Sequence, residues 1–327
     1  MKNGFEDISR RVIRSAVDWS NAGNRLIDYL AGRFTYRSAG EWRDRIADGE
    51  ILLNGEKVSP ETLLKQHDMI EYFPGDIPEP PADLSYKTVY EDDTLLVIDK
   101  PGNLCVHPAG PFFKHTLWYL LCQKYGKIHI VNRLDRETSG LLIAAKTPEA
   151  AAKLGGRNWE MRKEYLALVF GEFGEEEIDA RGFLIPDTSS IVRKKRRFVF
   201  ELPPEIKGIE SARTILRKEY TVSGGRSVVR AIPQTGRLHQ IRATLYSLGF
   251  PMVGDKLYGP DERIYLKIRN QEITDEDRQL LQMERQALHS AALEFKHPVS
   301  GEIIKTASPL PEDFPEISAI SQNSDLR

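Results

Sequence analysis

Cysteine is nearly absent: Cys105 and Cys122 are the only two in 327 residues, and no CxxC pair occurs. That usage excludes a disulfide-stapled scaffold and a cysteine zinc site, and it suits a reducing compartment. Long apolar runs are missing too. Nothing approaches the roughly 18–20 apolar residues of a bilayer span, and residues 117–122 (LWYLLC) are a typical short stretch. The first residues, with Glu6, Asp7, Arg10, Arg11 and Arg14, lack the layout of a signal peptide. A cytoplasmic protein with no membrane partner is expected. Charge of one sign is also wanting, since 46 Lys and Arg face 48 Asp and Glu for a formal net charge of -2. Any polyanionic partner must therefore meet local charge. There is no Walker phosphate loop, no GxGxxG after a strand and no zinc spacing. The seven histidines are scattered, and pairing His107 with His115 as metal ligands has only residue type behind it. No metal and no cofactor is expected.

What is present is an ordinary globular composition, 40% hydrophobic and 29% charged, with length enough for two domains. Residues 73–85 (FPGDIPEPPADLS) carry Pro74, Pro78, Pro80 and Pro81. Proline removes amide donors and biases its predecessor toward extended geometry, so neither helix nor central strand continues there. The predicted layout is an N-terminal extension over 1–20, a small α+β domain over 21–73, a linker over 74–88, a larger domain over 89–312 and a loosely held tail over 313–327. In the small domain, helices are expected over 24–33 and 38–47, then a hairpin over 50–58 turning at Asn54-Gly55, and a strand near 69–73. In the larger domain, 94–99, 141–145 and 164–171 read as buried strands, and Thr147-Pro148 as a helix start. A further helix is expected over 237–248, with Leu238 and Ile241 turned to the core.

Two polar segments stand apart. In residues 131–146 (VNRLDRETSGLLIAAK), Asp135 lies between Arg133 and Arg136 on a loop feeding a buried strand. Neighbouring cations keep such a carboxylate ionised, fit to act as nucleophile or base. In residues 234–242 (QTGRLHQIR), His239 and Arg242 fall three apart on the expected helix, and Arg242 suits a clamp on a buried carboxylate. By residue type alone, each segment also reads as an ordinary surface ion pair or a solvated helix face.

Six segments in order carry a resemblance: 100–108 (KPGNLCVHP), 133–140 (RLDRETSG), 163–171 (KEYLALVFG), 235–242 (TGRLHQIR), 254–259 (GDKLYG) and 288–298. Together they resemble the pseudouridine synthases of the RluA type, which convert uridine in ribosomal or transfer RNA to pseudouridine. The match covers roughly residues 89–310. Residues 24–73 resemble the small RNA-binding domain first seen in ribosomal protein S-four, with Ile27 in place of its usual aspartate. The resemblance implies an α+β fold with a mixed, mainly antiparallel sheet flanked by helices and loops. It implies an isomerase that flips its target base and works without a cofactor. Asp135 matches the catalytic aspartate, Tyr165 the tyrosine lying against the base, and Arg242 the arginine paired with the aspartate. Arg133 matches the arginine that fills the gap left by the base. Asn132 stands where the family motif has histidine. It cannot titrate near neutral pH, so no acid–base role is expected there.

Local charge supplies what global charge does not. Residues 193–197 read RKKRR, and residues 187–226 hold ten basic against five acidic side chains. Arg193, Lys194, Lys195, Arg196 and Arg197 are therefore expected to grip RNA, together with Arg133, Arg136, Arg237, His239 and Gln240. Ribosomal RNA is the expected substrate, transfer RNA the other choice, and no obligate protein partner is inferred. The rival reading is a non-catalytic RNA-binding ribosome-assembly factor on the same fold.

Overall fold

Asn54 and Gly55 both take positive φ, 55° and 85°, so the chain reverses tightly between β-strands that twist the same way. That turn sits in a computed structural model that describes residues 10–75, 78–156, 159–174, 177–203 and 206–314. The chain divides into two compact units, residues 1–80 and 81–327.

In the first unit, β1 (Ile13–Ala16) precedes α1 (Leu26–Arg33) and α2 (Ala39–Ala47), then β2 (Ile51–Leu53), β3 (Glu56–Lys57) and β4 (Met69–Tyr72). The strands form an antiparallel sheet in the order β1-β4-β2-β3. Ser38 starts α2 with a reciprocal cap: its hydroxyl accepts the Glu41 amide, and the Glu41 carboxylate accepts the Ser38 amide at 2.8 Å. Leu26, Ile27, Leu30, Trp42, Ile46 and Ile70 fill the core, each buried aliphatic stabilising the unit by roughly 1.5–3 kcal/mol. β1 lies in the stretch expected as an extension. Its residues pair one-to-one with β4, and no hydrophobic period announces a strand of four.

The second unit opens with β5 (Lys87–Glu91), β6 (Leu95–Lys100), α3 (Leu117–Tyr125), β7 (His129–Ile130), β8 (Ser139–Ala145) and α4 (Pro148–Leu154). It continues through β9 (Met161–Phe170), β10 (Ile178–Pro186), β11 (Arg196–Val199), β12 (Glu210–Val222) and β13 (Arg226–Pro233). It closes with α5 (Gln240–Ser247), α6 (Arg263–Asn270), α7 (Asp275–Leu281), β14 (Leu288–Lys296) and β15 (Ile303–Ala307). One mixed sheet runs β11-β10-β12-β13-β9-β14-β8-β6-β5, with β15 on β14 and β7 on β8. Its pairs are antiparallel except β14 with β8, where His289 meets Ser139 and Ser290 meets Gly140. A Cβ on Gly140 would fall 2.3 Å from the Ser290 carbonyl oxygen, and its φ is 100°. Only glycine allows that parallel junction, which anchors the end of the loop carrying Asp135.

The tail is not loose where it begins. Arg285 donates to Asp313 at 2.6 and 2.7 Å, and Phe314 is buried, because a partly buried guanidinium draws the carboxylate in. The rest of the expected tail lies outside the described residues. No helix among the described residues is long and apolar enough to cross a membrane.

Candidate active site

The loop between β7 and β8 is tied down residue by residue. Asn132 accepts the Ile143 amide at 2.8 Å. The Arg136 carbonyl accepts the Leu104 amide and the Lys100 ammonium, each at 3.1 Å. Glu137 accepts Lys256 at 2.8 Å and the Gln286 amide at 3.0 Å, while its carbonyl accepts Arg285 at 3.1 Å. Gln286 also reaches the Thr138 hydroxyl at 2.6 Å. Lys100 is wholly buried and donates besides to the carbonyls of Pro101 and Leu104, at 2.7 and 2.9 Å. Burial pulls its pKa down to about 7, yet three acceptors match the three N–H groups of an ammonium.

Asp135 leaves this loop toward Arg242 on α5. Arg242 Nη1 donates to Asp135 Oδ2 at 2.6 Å, and Gln286 Nε2 approaches the same oxygen at 3.4 Å. The other edge of the guanidinium grips Asp255 through Nε at 2.6 Å and Nη2 at 2.9 Å. Asp255 is fully buried, and its Oδ1 also accepts the amides of Leu257 and Tyr258 at 2.9 Å each. The Asp255 turn needs its glycines. A Cβ on Gly254 would lie 1.9 Å from the Arg285 carbonyl oxygen, and one on Gly259 would lie 2.1 Å from that of Asp255. Asp255 thus fixes the guanidinium, which presents one N–H to Asp135. Asp135 Oδ1 takes no hydrogen bond among the described residues, and the side chain keeps 31% exposure. Burial pushes the Asp135 carboxyl up, but Arg242 and then His239 outweigh it and hold the pKa at about 2. The site therefore presents an ionised carboxylate with one oxygen held and one open.

Asp135 lines a cavity of about 440 Å³ together with Tyr165, Arg133, Arg237, His239 and Arg242 among others. Tyr165 comes from β9 and is buried, which pushes its phenol up to about 12 against a hydrogen bond with Ser290. His239 is in the left-handed region just before α5, with Nδ1 3.1 Å from the Tyr258 hydroxyl. A larger cavity of about 970 Å³ borders the same loop through Arg136 and Glu137, but neither Asp135 nor Tyr165 lines it. The reactive groups select the smaller one.

A family model described as RNA pseudouridylate synthase matches residues 94–247. The ribosomal large subunit pseudouridine synthase D of Vibrio cholerae is 30% identical over 319 residues, which span 94% of both chains. The chain belongs to the RluA-type RNA pseudouridine synthase family. As a member of that family it is an isomerase acting on uridine in RNA. The mitochondrial tRNA pseudouridine(32) synthase of Saccharomyces cerevisiae is 32% identical over 73% of this chain, and the match spans about half of the yeast protein, 51%. Among solved structures, human RNA Pseudouridylate Synthase Domain Containing 1 superposes with a TM-score of 0.54 at 25% identity, covering 71% of this chain and 86% of its own.

Against this synthase frame, the expected site residues divide. Asp135, Tyr165, Arg242, Arg133, Arg237, His239 and Gln240 gather around one cavity. Gln240, expected on RNA, is instead buried and spent on protein: it accepts from Thr235 at 2.7 Å and the Arg237 amide at 3.0 Å, and donates to the Arg213 carbonyl at 3.0 Å. Those bonds hold residues 235–239 in a turn, so α5 starts three residues later than expected. His239 precedes the helix rather than sharing its face, and Leu238 is exposed rather than in the core. The basic run is also divided. Lys195 is buried, 2.9 Å from Glu262 and 4.1 Å from the centre of the Tyr246 ring, so it contributes structure instead of RNA contact. The Arg196 side chain is engaged with the Gly208 carbonyl at 3.1 Å. Arg193, Lys194 and Arg197 are exposed, and Arg136 lies over the Phe112 ring at 5.4 Å outside the Asp135 cavity. Sequence reasoning passed over Asp255, Tyr258, Lys100 and Gln286. The two glycines bracketing DKLY, Gly254 and Gly259, were the available signal for the first pair.

Proposed function

We propose that Asp135 is the nucleophile of the isomerisation, Arg242 its ionic partner and Tyr165 the aromatic that packs against the uracil. One observation carries this: an ionised aspartate, clamped through one oxygen by an arginine that Asp255 orients, keeps its other oxygen open and lines a cavity walled by a buried tyrosine. Attack by that oxygen on the target nucleotide accompanies cleavage of the glycosidic bond. The uracil turns and rejoins the sugar through carbon five, whose proton then leaves. Tyr165 is neutral at physiological pH, with its pKa pushed up to about 12. It takes that proton only by surrendering its own, so packing against the base is its first duty. Extrusion of the base is a physical necessity, because the reacting carbon is out of reach inside a stack. Arg133, exposed at the cavity, fills the gap. Arg237, Arg136, Arg193, Lys194 and Arg197 meet phosphate.

Ribosomal RNA is favoured as substrate, since the match with the Vibrio cholerae large-subunit enzyme runs nearly end to end and that with the yeast tRNA enzyme does not. The first unit serves as an S-four-like RNA-binding domain. A cytoplasmic location is supported by two buried cysteines that form no disulfide among the described residues.

The test is Asp135→Asn, which keeps size and removes charge. Release of tritium from carbon five of labelled uridine in RNA should fall to background. RNA affinity should stay within about tenfold, or about 1.4 kcal/mol. Wild-type turnover by the folded variant overturns the assignment.

A further inference from the structure

One buried hydroxyl joins the basic run to the cavity. Tyr258 is wholly buried, and its oxygen accepts the Arg196 backbone N–H at 3.0 Å. The same oxygen lies 3.1 Å from His239 Nδ1. With the backbone already donating to it, the hydroxyl has its own hydrogen left to give, and Nδ1 is the acceptor within reach. The converse arrangement, Nδ1–H donating to the hydroxyl, would leave the phenolic hydrogen without an acceptor among the described residues. A neutral imidazole whose Nδ1 accepts carries its proton on Nε2. The ring cannot easily turn away from that arrangement. It stands edge-on to Tyr258, with centroids 5.6 Å apart at 83°, and its backbone is pinned at φ 56°. Nε2 has no hydrogen-bond partner among the described residues, and His239 lines the Asp135 cavity.

We propose that His239 is a substrate-binding residue of the synthase: its Nε2–H, held in that tautomer by Tyr258, donates to an oxygen of the extruded uridine. The inference rests on Asp135 being the nucleophile of this cavity. The imidazole or its partner is faced by Arg242 and Tyr246 from α5, Asp135 from the loop, Asp255 and Tyr258 from the glycine-bracketed turn, and Lys194 and Lys195 ahead of β11. Burial first and Arg242 second push the imidazole down to about 4, so it stays uncharged at neutral pH. An uncharged donor suits this place. An imidazolium would compete with substrate for the open oxygen of Asp135, whereas a neutral N–H orients the nucleotide and leaves the nucleophile free.

The experiment pairs kinetics with spectroscopy on the full chain. Glutamine places an amide N–H near Nε2, asparagine near Nδ1, and alanine neither. His239→Gln should keep kcat/KM within about threefold of wild type, while His239→Ala and His239→Asn lose about tenfold or more, each variant being shown folded by a cooperative melt even where the loss of an acceptor for Tyr258 lowers its Tm. Nitrogen-15 NMR of ring-labelled histidine at neutral pH should place the His239 proton on Nε2, and Tyr258→Phe should disperse it over both nitrogens. RNA carrying 2-thiouridine, 4-thiouridine or 2′-deoxyuridine at the target distinguishes O2, O4 and the ribose 2′-hydroxyl as the acceptor. The analogue lacking the acceptor abolishes the difference between wild type and His239→Ala. Wild-type kinetics for a folded His239→Ala, or a proton found on Nδ1, overturns the proposal while Asp135→Asn stays inactive. Turnover by Asp135→Asn removes the underlying reading instead.

Discussion

Arg242 holds two carboxylates that do different work. Asp255 is fully buried and saturated by the guanidinium and two amides, so it has no capacity left for chemistry. Asp135 is held by one oxygen only. Asp255→Asn should therefore act on the partner rather than on the substrate. A buried Arg242 with half its compensation gone costs about 3–5 kcal/mol, read as a lowered Tm, and Asp135 loses its fixed orientation, so kcat falls more than RNA affinity. Unchanged melting and turnover would make Asp255 dispensable. The pH dependence follows in sign. Both carboxyls have folded pKa values below the ordinary 3.8, that of Asp135 at about 2. Their stabilisation is complete above the unfolded value and is lost as pH falls through the folded one. Melting followed downward from about pH 5 should show it. At this scale the sequence displayed Asp135 and Arg242 through ordered motifs. Asp255 lay in one of the same segments, GDKLYG, but its role was hidden, because a single buried aspartate has no period and only the fold brings it to within 3 Å of an arginine thirteen residues away.

Elements explain where residue counting went astray. Helical spacing over 237–248 suggested one continuous helix, but the turn ahead of α5 is built by the Gln240 side chain, a tertiary hydrogen-bond choice invisible to periodicity. The strands inside runs 94–99, 141–145 and 164–171 were legible because burial on both faces gives unbroken apolar stretches, as in β8, buried from end to end. The RKKRR run shows the opposite failure: charge alone does not tell a phosphate contact from a lysine laid between a carboxylate and two tyrosines. The run therefore yields two different variants. Neutralising Arg193, Lys194 and Arg197 should weaken RNA binding and flatten its salt dependence by roughly 0.7 per lost phosphate contact on single strands. Lys195→Gln should lower Tm and leave the salt slope alone. Equal slopes for both variants and wild type would mean that the run meets no RNA.

At the scale of the whole molecule, a near-neutral chain must confine its RNA-binding charge, and the two units differ in how they hold theirs. Residues 1–73 carry eleven basic against twelve acidic side chains, and several of the arginines are already committed. Arg25 pairs with Asp28 and Glu61, Arg45 with Glu50, and Arg14 with Glu71. The second unit has its own sheet and core and holds every member of the Asp135 site. A chain beginning near Asp83 should therefore fold, melt cooperatively and retain the isomerisation, since nothing that positions Asp135, Arg242 or Tyr165 is removed. On the RNA-binding role proposed for the first unit, what it loses is contact with RNA away from the reacting uridine. Such binding energy acts equally on the ground and transition states, so its loss raises KM and leaves kcat nearly unchanged. Tritium release over a range of RNA concentrations, together with mapping of the modified uridines, measures both. A KM increase of about tenfold with kcat preserved, and modification spreading to additional uridines, is the expected result. A fragment that is insoluble, or one whose kcat collapses while it remains folded, would show that the first unit helps to build the catalytic unit rather than to select its RNA.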